Sequence, residues 1–195
     1  MKIINRVIFN SLFPVLLYLV ANTSLKAQPA EGETGRDSLS YKRVSVGVNL
    51  LDYYGGDMLG MGGSITSPFW DGFALRATGG IHSVETILPG GTNTTFCPFY
   101  SIQLGLVMRH FAISPKVACY VEAGAVVIFP NSNITTKSNT EGEYILIGEE
   151  IYVTHNKTFF LEAGGVNGQV REDKLPSEPY YAAGLLISTG LRIHL

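Results

Sequence analysis

The sequence predicts an all-β fold: an eight-stranded antiparallel up-and-down barrel that crosses a membrane. Four observations carry this. From Tyr41 onward, eight segments with the two-residue period of a strand follow one another, and no helix of convincing length interrupts them. Charged residues make up 15% of the chain, against about 25% in a typical soluble domain. Glycine supplies 22 of the 195 residues. A lipid-facing exterior has little use for charge, and small residues relieve crowding inside. Lastly, the connections after the first hairpin are alternately short and long, the asymmetry of membrane barrels.

The segments run 41–52, 57–67, 72–84, 98–111, 117–129, 144–154, 158–167 and 180–195. The first two meet at Tyr53-Tyr54-Gly55-Gly56-Asp57, a short connection on the long-loop side. The third follows a turn at Ser67-Pro68-Phe69-Trp70-Asp71-Gly72 and opens with Gly72-Phe73-Ala74-Leu75-Arg76-Ala77. After a loop at 85–97, the fourth sets Tyr100, Ile102, Leu104, Leu106 and Met108 against Ser101, Gln103, Gly105, Val107 and Arg109. The turn Ile113-Ser114-Pro115-Lys116 leads to the fifth, where Cys119, Val121 and Ala123 oppose Tyr120, Glu122 and Gly124. The sixth follows a polar loop at 130–143, and the turn at His155-Asn156-Lys157 leads to the seventh. Tyr120-Val121-Glu122-Ala123-Gly124-Ala125 recurs there as Phe160-Leu161-Glu162-Ala163-Gly164-Gly165. A last loop, 168–179, precedes the eighth.

Alternation alone also fits a soluble barrel with an apolar interior. The quality of the polar face decides. A solvated face carries several long polar side chains per strand; here that face is small residues plus a single charge, which suits a crowded lumen. About ten residues per strand, tilted near 45°, span roughly 24 Å, the height of the apolar band. Phe69, Trp70 and Phe73 at the short-turn rim, with Tyr100, Tyr144 and Tyr181 above, are expected as interfacial girdles.

The amino terminus reads as a secretory signal over 1–27. Lys2 and Arg6 precede an apolar run from Leu12 to Ala21, and Ala27 offers a small residue before a cut at Gln28. That run is too short for a transmembrane helix, which needs about 20 residues. Residues 28–40 are polar and rich in Pro, Gly, Glu and Ser, a flexible lead-in to a barrel domain at 41–195. Removing Lys2, Arg6 and Lys26 sharpens the acidic excess, which argues against a nucleic-acid partner. The two cysteines, Cys97 and Cys119, fall at opposite ends of neighbouring strands and are expected to stay free.

The chain ends in Ser188-Thr189-Gly190-Leu191-Arg192-Ile193-His194-Leu195, an amphipathic strand. Ser188 and Gly190, followed by apolar residues at the third-last and last positions, Ile193 and Leu195, resemble the C-terminal recognition signal of bacterial outer-membrane barrels. That family usually ends in Phe, where this chain has Leu. Taken with the strand pattern, the chain is similar to the small eight-stranded outer-membrane barrels of the OmpA/OmpX kind over 41–195. The resemblance implies export to the outer membrane of a Gram-negative bacterium, lipid as the surroundings, and the barrel assembly machinery as a partner during biogenesis. It implies little about activity, because that fold hosts structural proteins, adhesins, narrow pores and a few enzymes.

Arg76, Arg109, Glu122, Glu150, Glu162 and Arg192 all project inward in this register and are expected to form an ion-pair network that plugs the lumen. A narrow pore is the alternative, and a lipid-modifying enzyme a third. No catalytic, cofactor or metal site is expected. His82 and Ser83 are neighbours that point to opposite faces and cannot share a proton. No two histidines have ligand spacing, and His82 and His194 read as lumen residues. The loops 130–143 and 168–179 are the expected surface for any protein or surface ligand. Glu149 fits worst: with Glu150 inward, it falls on the lipid face near mid-membrane. A β-bulge at Gly148 turning both carboxylates inward is the favoured account, with a covering partner, or a cost simply borne, as alternatives.

Overall fold

The computed structural model describes residues 43–54, 58–88, 90–114, 116–171, 173–175 and 180–195. The expected signal segment and lead-in lie outside these residues, as do the side chains of Arg109, His110 and Tyr181. Eight strands follow in order: β1 (Ser45–Tyr54), β2 (Met58–Trp70), β3 (Phe73–Ile87), β4 (Thr94–Ser114), β5 (Val117–Phe129), β6 (Thr140–Thr154), β7 (Lys157–Arg171) and β8 (Tyr180–His194). Each pairs antiparallel with its neighbours in sequence, and β1 closes on β8 from Ser45 opposite His194 to Tyr54 opposite Leu186. The result is a closed up-and-down barrel without a free edge.

The strands run further than apolar alternation suggests. β3 and β4 stay paired up to Ile87 opposite Thr94, through Glu85–Phe96 and Thr86–Thr95. Ladder bonds belong to the backbone and continue past the last apolar side chain. The expected loops at 85–97, 130–143 and 168–179 are correspondingly shorter. The expected turn at Ser67–Gly72 tightens to Asp71 and Gly72, with Gly72 in the left-handed region at φ 82°.

The outer surface is apolar. Leu59, Met61, Ile65, Leu75, Ile81, Ile102, Leu104, Leu161, Leu191 and Ile193 are all exposed on it, and Trp70, 74% exposed, marks the short-turn rim. The lumen is filled in two tiers. Arg76, Glu122, Glu150, Glu162 and Arg192 occupy the half nearer the short turns, all buried. Val84, Cys97, Phe99, Val126, Ile128, Val166 and Val170 pack the half nearer the loops.

β1 breaks phase within its run. In β1 the register slips by one residue between Asn49 and Asp52 against β2, and between Asn49 and Leu51 against β8. The extra residue lets Leu50 and Leu51 both face outward, while Asn49 and Asp52 both face inward.

Candidate functional site

The lumenal charge cluster is built from β3 and the four consecutive strands β5 to β8. Arg76 rises from β3. Its Nη1 donates to Glu122 Oε2 at 2.6 Å and to Glu162 Oε1 at 2.7 Å, and its Nε to Thr66 Oγ1 at 3.0 Å. Tyr144 donates its hydroxyl to Glu122 Oε1 at 2.5 Å. Arg192, near the end of β8, donates through Nη1 to Glu150 and through Nη2 to Glu162 Oε1 at 3.2 Å. Tyr120 donates to Glu162 and lies beneath both arginines, with guanidinium carbons 4.9 and 5.7 Å from its ring centre. Phe160 supports Arg192 from the other side at 4.3 Å.

Five of the six charges expected inside thus meet in one network: Arg76, Glu122, Glu150, Glu162 and Arg192. Arg109 has its backbone on β4, opposite Tyr120, and its side chain lies outside the described residues. Room for this cluster comes from glycine. A methyl group on Gly105 would collide with the Tyr144 hydroxyl and the Glu122 carboxylate, and one on Gly148 with the Tyr120 ring. Shared charge-assisted bonds make such a cluster worth keeping whole. Removing one member strands the others, at about 3–5 kcal/mol for a buried pair.

Above the cluster, Asn49 Nδ2 donates to Asp52 at 3.1 Å and to Ser188 Oγ at 3.0 Å. The gap between this triplet and the cluster is a cavity of about 10 Å³. That is room for a single water at most.

The loops close the mouth at the long-loop end. Ile134 and Leu175 descend into the apolar tier and are buried there. The two loop segments are stitched together: Lys174 N donates to Ile134 O at 3.2 Å, Lys174 Nζ to Ser132 O at 2.5 Å, and Thr136 N to Asp173 Oδ1 at 2.8 Å. The Thr136 hydroxyl also donates to Asp173. These bonds hold the exposed Asp173 carboxyl below its usual range. Ser132, Asn133 and residues 136–139 remain exposed on the outside of this lid.

Two sequence expectations are corrected. The bulge expected at Gly148 is absent: β6 pairs with β5 without a slip from Thr140 to Ile151, and with β7 from Tyr144 to Tyr152. Glu149 therefore faces outward, half-buried, beside Cys119, whose Sγ lies 3.8 Å from its Oε1. Tyr144 is not an interfacial residue. It shares the inward phase of Leu146 and Glu150 and is buried in the lumen.

The sequence also missed a contact. His82 turns inward, away from Ser83, and meets Ser101 of β4 at 2.8 Å from Nε2 while stacking on Phe99. Register between strands brings these together, and no local spacing reveals it. Both are buried, sealed beneath the lid. His194 bonds Thr158 at 3.2 Å inside the opposite end. Cys97 and Cys119 are not joined in a disulfide, and one faces the lumen and the other the outer surface. In the terminal strand, Ser188 and Gly190 face inward, and Ile193 and Leu195 outward.

No family model matches the sequence, and no curated protein does. Solved structures do match. The N-terminal β-barrel domain of Pseudomonas aeruginosa OprF is 18% identical, with 79% of this chain and 98% of that one covered at a TM-score of 0.53. The chain has the fold of the small eight-stranded outer-membrane barrels. The outer membrane protein OprG of Pseudomonas aeruginosa follows at 10% identity, 78% and 94% coverage and a TM-score of 0.46. Ail, the attachment invasion locus protein of Yersinia pestis, follows at 14% identity, 77% and 97% coverage and a TM-score of 0.37. At these identities the likeness concerns the fold.

Proposed function

We propose that this chain is a non-enzymatic outer-membrane barrel of a Gram-negative bacterium. Its lumen is plugged, and its role is structural or to bind a partner through its loops. The carrying observation is the pairing of an apolar exterior with a filled interior. A soluble barrel would bury Leu59, Met61, Ile81, Leu104 and Leu191, whereas here they form the outside of the closed sheet. A pore needs a continuous water path, and the charged tier, the apolar tier and the Ile134–Leu175 lid all stand across it.

An enzyme needs a cleft beside its nucleophile; Ser101 and His82 are walled in. The exposed positions of 130–143, with Asp173 and Lys174 from 168–179, offer hydrogen-bonding groups to a protein or surface ligand. The signal at 1–27 directs export. The Ser188, Gly190, Ile193, Leu195 pattern engages the assembly machinery, and no cofactor is needed. Purified protein refolded into detergent is expected to be β-rich and to shift on gel electrophoresis when boiled. In planar bilayers it is expected to show no stable conductance steps. Reproducible unitary conductance would replace the plug with a narrow pore.

A further inference from the structure

We propose that the outer face of β1 to β4 holds one acyl chain of an outer-leaflet lipid in a groove floored by Gly63 and Gly79. The inference rests on the membrane reading above and gives that surface a ligand. Gly63 and Gly79 are direct partners across β2 and β3, and both face outward. Val48 and Ile102 continue the same row on either side. A methyl group added to Gly79 would meet nothing within 4 Å, and one on Gly63 only the Gly47 carbonyl at 3.5 Å. Two adjacent side chains are thus missing from an otherwise large-residue surface. Met61, Ile81 and Tyr100, paired in the next row, form one wall. Leu50, the residue the β1 bulge adds to the outer face, forms another. The cavity so framed measures about 590 Å³.

Size and polarity choose the occupant. Small-ligand pockets run to roughly 300–1,000 Å³, whereas a stable protein interface covers about 800 Å² on each partner. The closed ladder leaves no edge to pair with an added strand. The outward side chains of the groove are apolar except for the Tyr100 hydroxyl, which sits toward the loop end of β4. An unbranched hydrocarbon whose polar end meets that hydroxyl fits this lining, and a peptide does not. The floor lies near mid-height, and the Met61–Ile81–Tyr100 row lies on its loop side, the side that faces the outer leaflet.

The test is retention of lipid by the full chain extracted from membranes in mild detergent, read by native mass spectrometry. Wild type is expected to carry one lipid per barrel. Gly79→Leu fills open space on a strand and is expected to fold with an unchanged heat shift, yet retain at least tenfold less lipid. Gly63→Val is the second variant should the first fold poorly. Ala163→Leu, on the outer face of β7, is expected to retain lipid as wild type does. Equal retention in wild type and both groove variants would overturn the proposal. So would a dimer that Gly79→Leu abolishes, which would assign the groove to a second copy. A wild-type chain that shows no heat shift and stays soluble without detergent would instead remove the membrane reading, and this inference with it.

Discussion

Two short stretches pose the same problem and solve it differently. Asn49-Leu50-Leu51-Asp52 in β1 and Gly148-Glu149-Glu150-Ile151 in β6 each place two like residues side by side where the faces should alternate. β1 inserts a bulge, sends both leucines to the outside and brings Asp52 in to Asn49 and Ser188. β6 stays regular, sends Glu150 in to Arg192 and leaves Glu149 outside beside Cys119. The outward apolar residues that bracket each stretch account for the difference. Val48 and Leu51 are an odd number of positions apart, so one extra residue is needed for both to face out. Ile147 and Ile151 are an even number apart and already agree. A single bulge between them would turn Tyr144 and Leu146, or Glu150, to the outside. One carboxylate on the surface costs less than an inverted strand.

Deletions break the comparison hardest. Removing Leu50 is expected to leave a folded, heat-modifiable barrel, because the strand becomes regular and Asp52 keeps its face. Removing Glu149 is expected to abolish the folded form, because every inward residue on one side changes face. Equal tolerance of the two would sink the parity account. Next, Arg192→Met strands Glu150 and Glu162 in the lumen. Chemical unfolding in detergent is expected to show a loss of about 3–5 kcal/mol. Adding Glu150→Gln is expected to recover part of it, and strictly additive losses would argue against one network.

The two acids themselves give opposite signs. Asp52→Ala removes a buried, hydrogen-bonded carboxylate and should cost about 1.5–3 kcal/mol. Glu149→Leu should stabilise the isolated barrel, by up to about 2 kcal/mol, since it removes an acid from the apolar band. A destabilised Glu149→Leu barrel would show that the carboxyl is engaged rather than tolerated. If a partner covers Glu149, the same variant loses the complex while the barrel gains.

The smallest effect lies at the aqueous end, with Asp173. Its carboxyl is held low by Thr136, so its contribution to the lid is complete above the free-aspartate value of about 3.9. It is lost only as pH falls through the lower folded value. The Thr136 amide resonance should therefore titrate with a midpoint below about 3.9. A midpoint at or above that value would mean that the clamp does not hold.

Strand period and the quality of the polar face made the barrel legible, along with the inward phase of Arg76, Glu122, Glu150, Glu162 and Arg192. The outward face of Glu149 is also written in the sequence. The spacing of Ile147 and Ile151 is in the sequence, and weighing burial cost alone favoured a bulge that parity forbids. Tyr144 was misplaced for a related reason: its position near a strand end suggested a girdle, although its phase matched Glu150. The lid was out of reach. Ile134 and Leu175 are single apolar residues in polar loops, and only the height of the strands around them decides whether they reach the core. The His82–Ser101 contact depends on the β3–β4 register, which one strand's pattern does not specify.

The seam between β1 and β8 has a kinetic consequence. It joins Ser45 to His194, so the last ladder to form spans nearly the whole described chain. Contacts this distant in sequence close slowly, because the intervening chain must be ordered first. Until they close, β1 and β8 present two rows of unpaired amide groups, and a bilayer offers those groups no water. A half-closed ring therefore has no resting place in lipid. In the membrane setting proposed above, insertion and closure would proceed as one cooperative event, and native-state hydrogen exchange should find one opening free energy shared around the ring rather than a graded series of them.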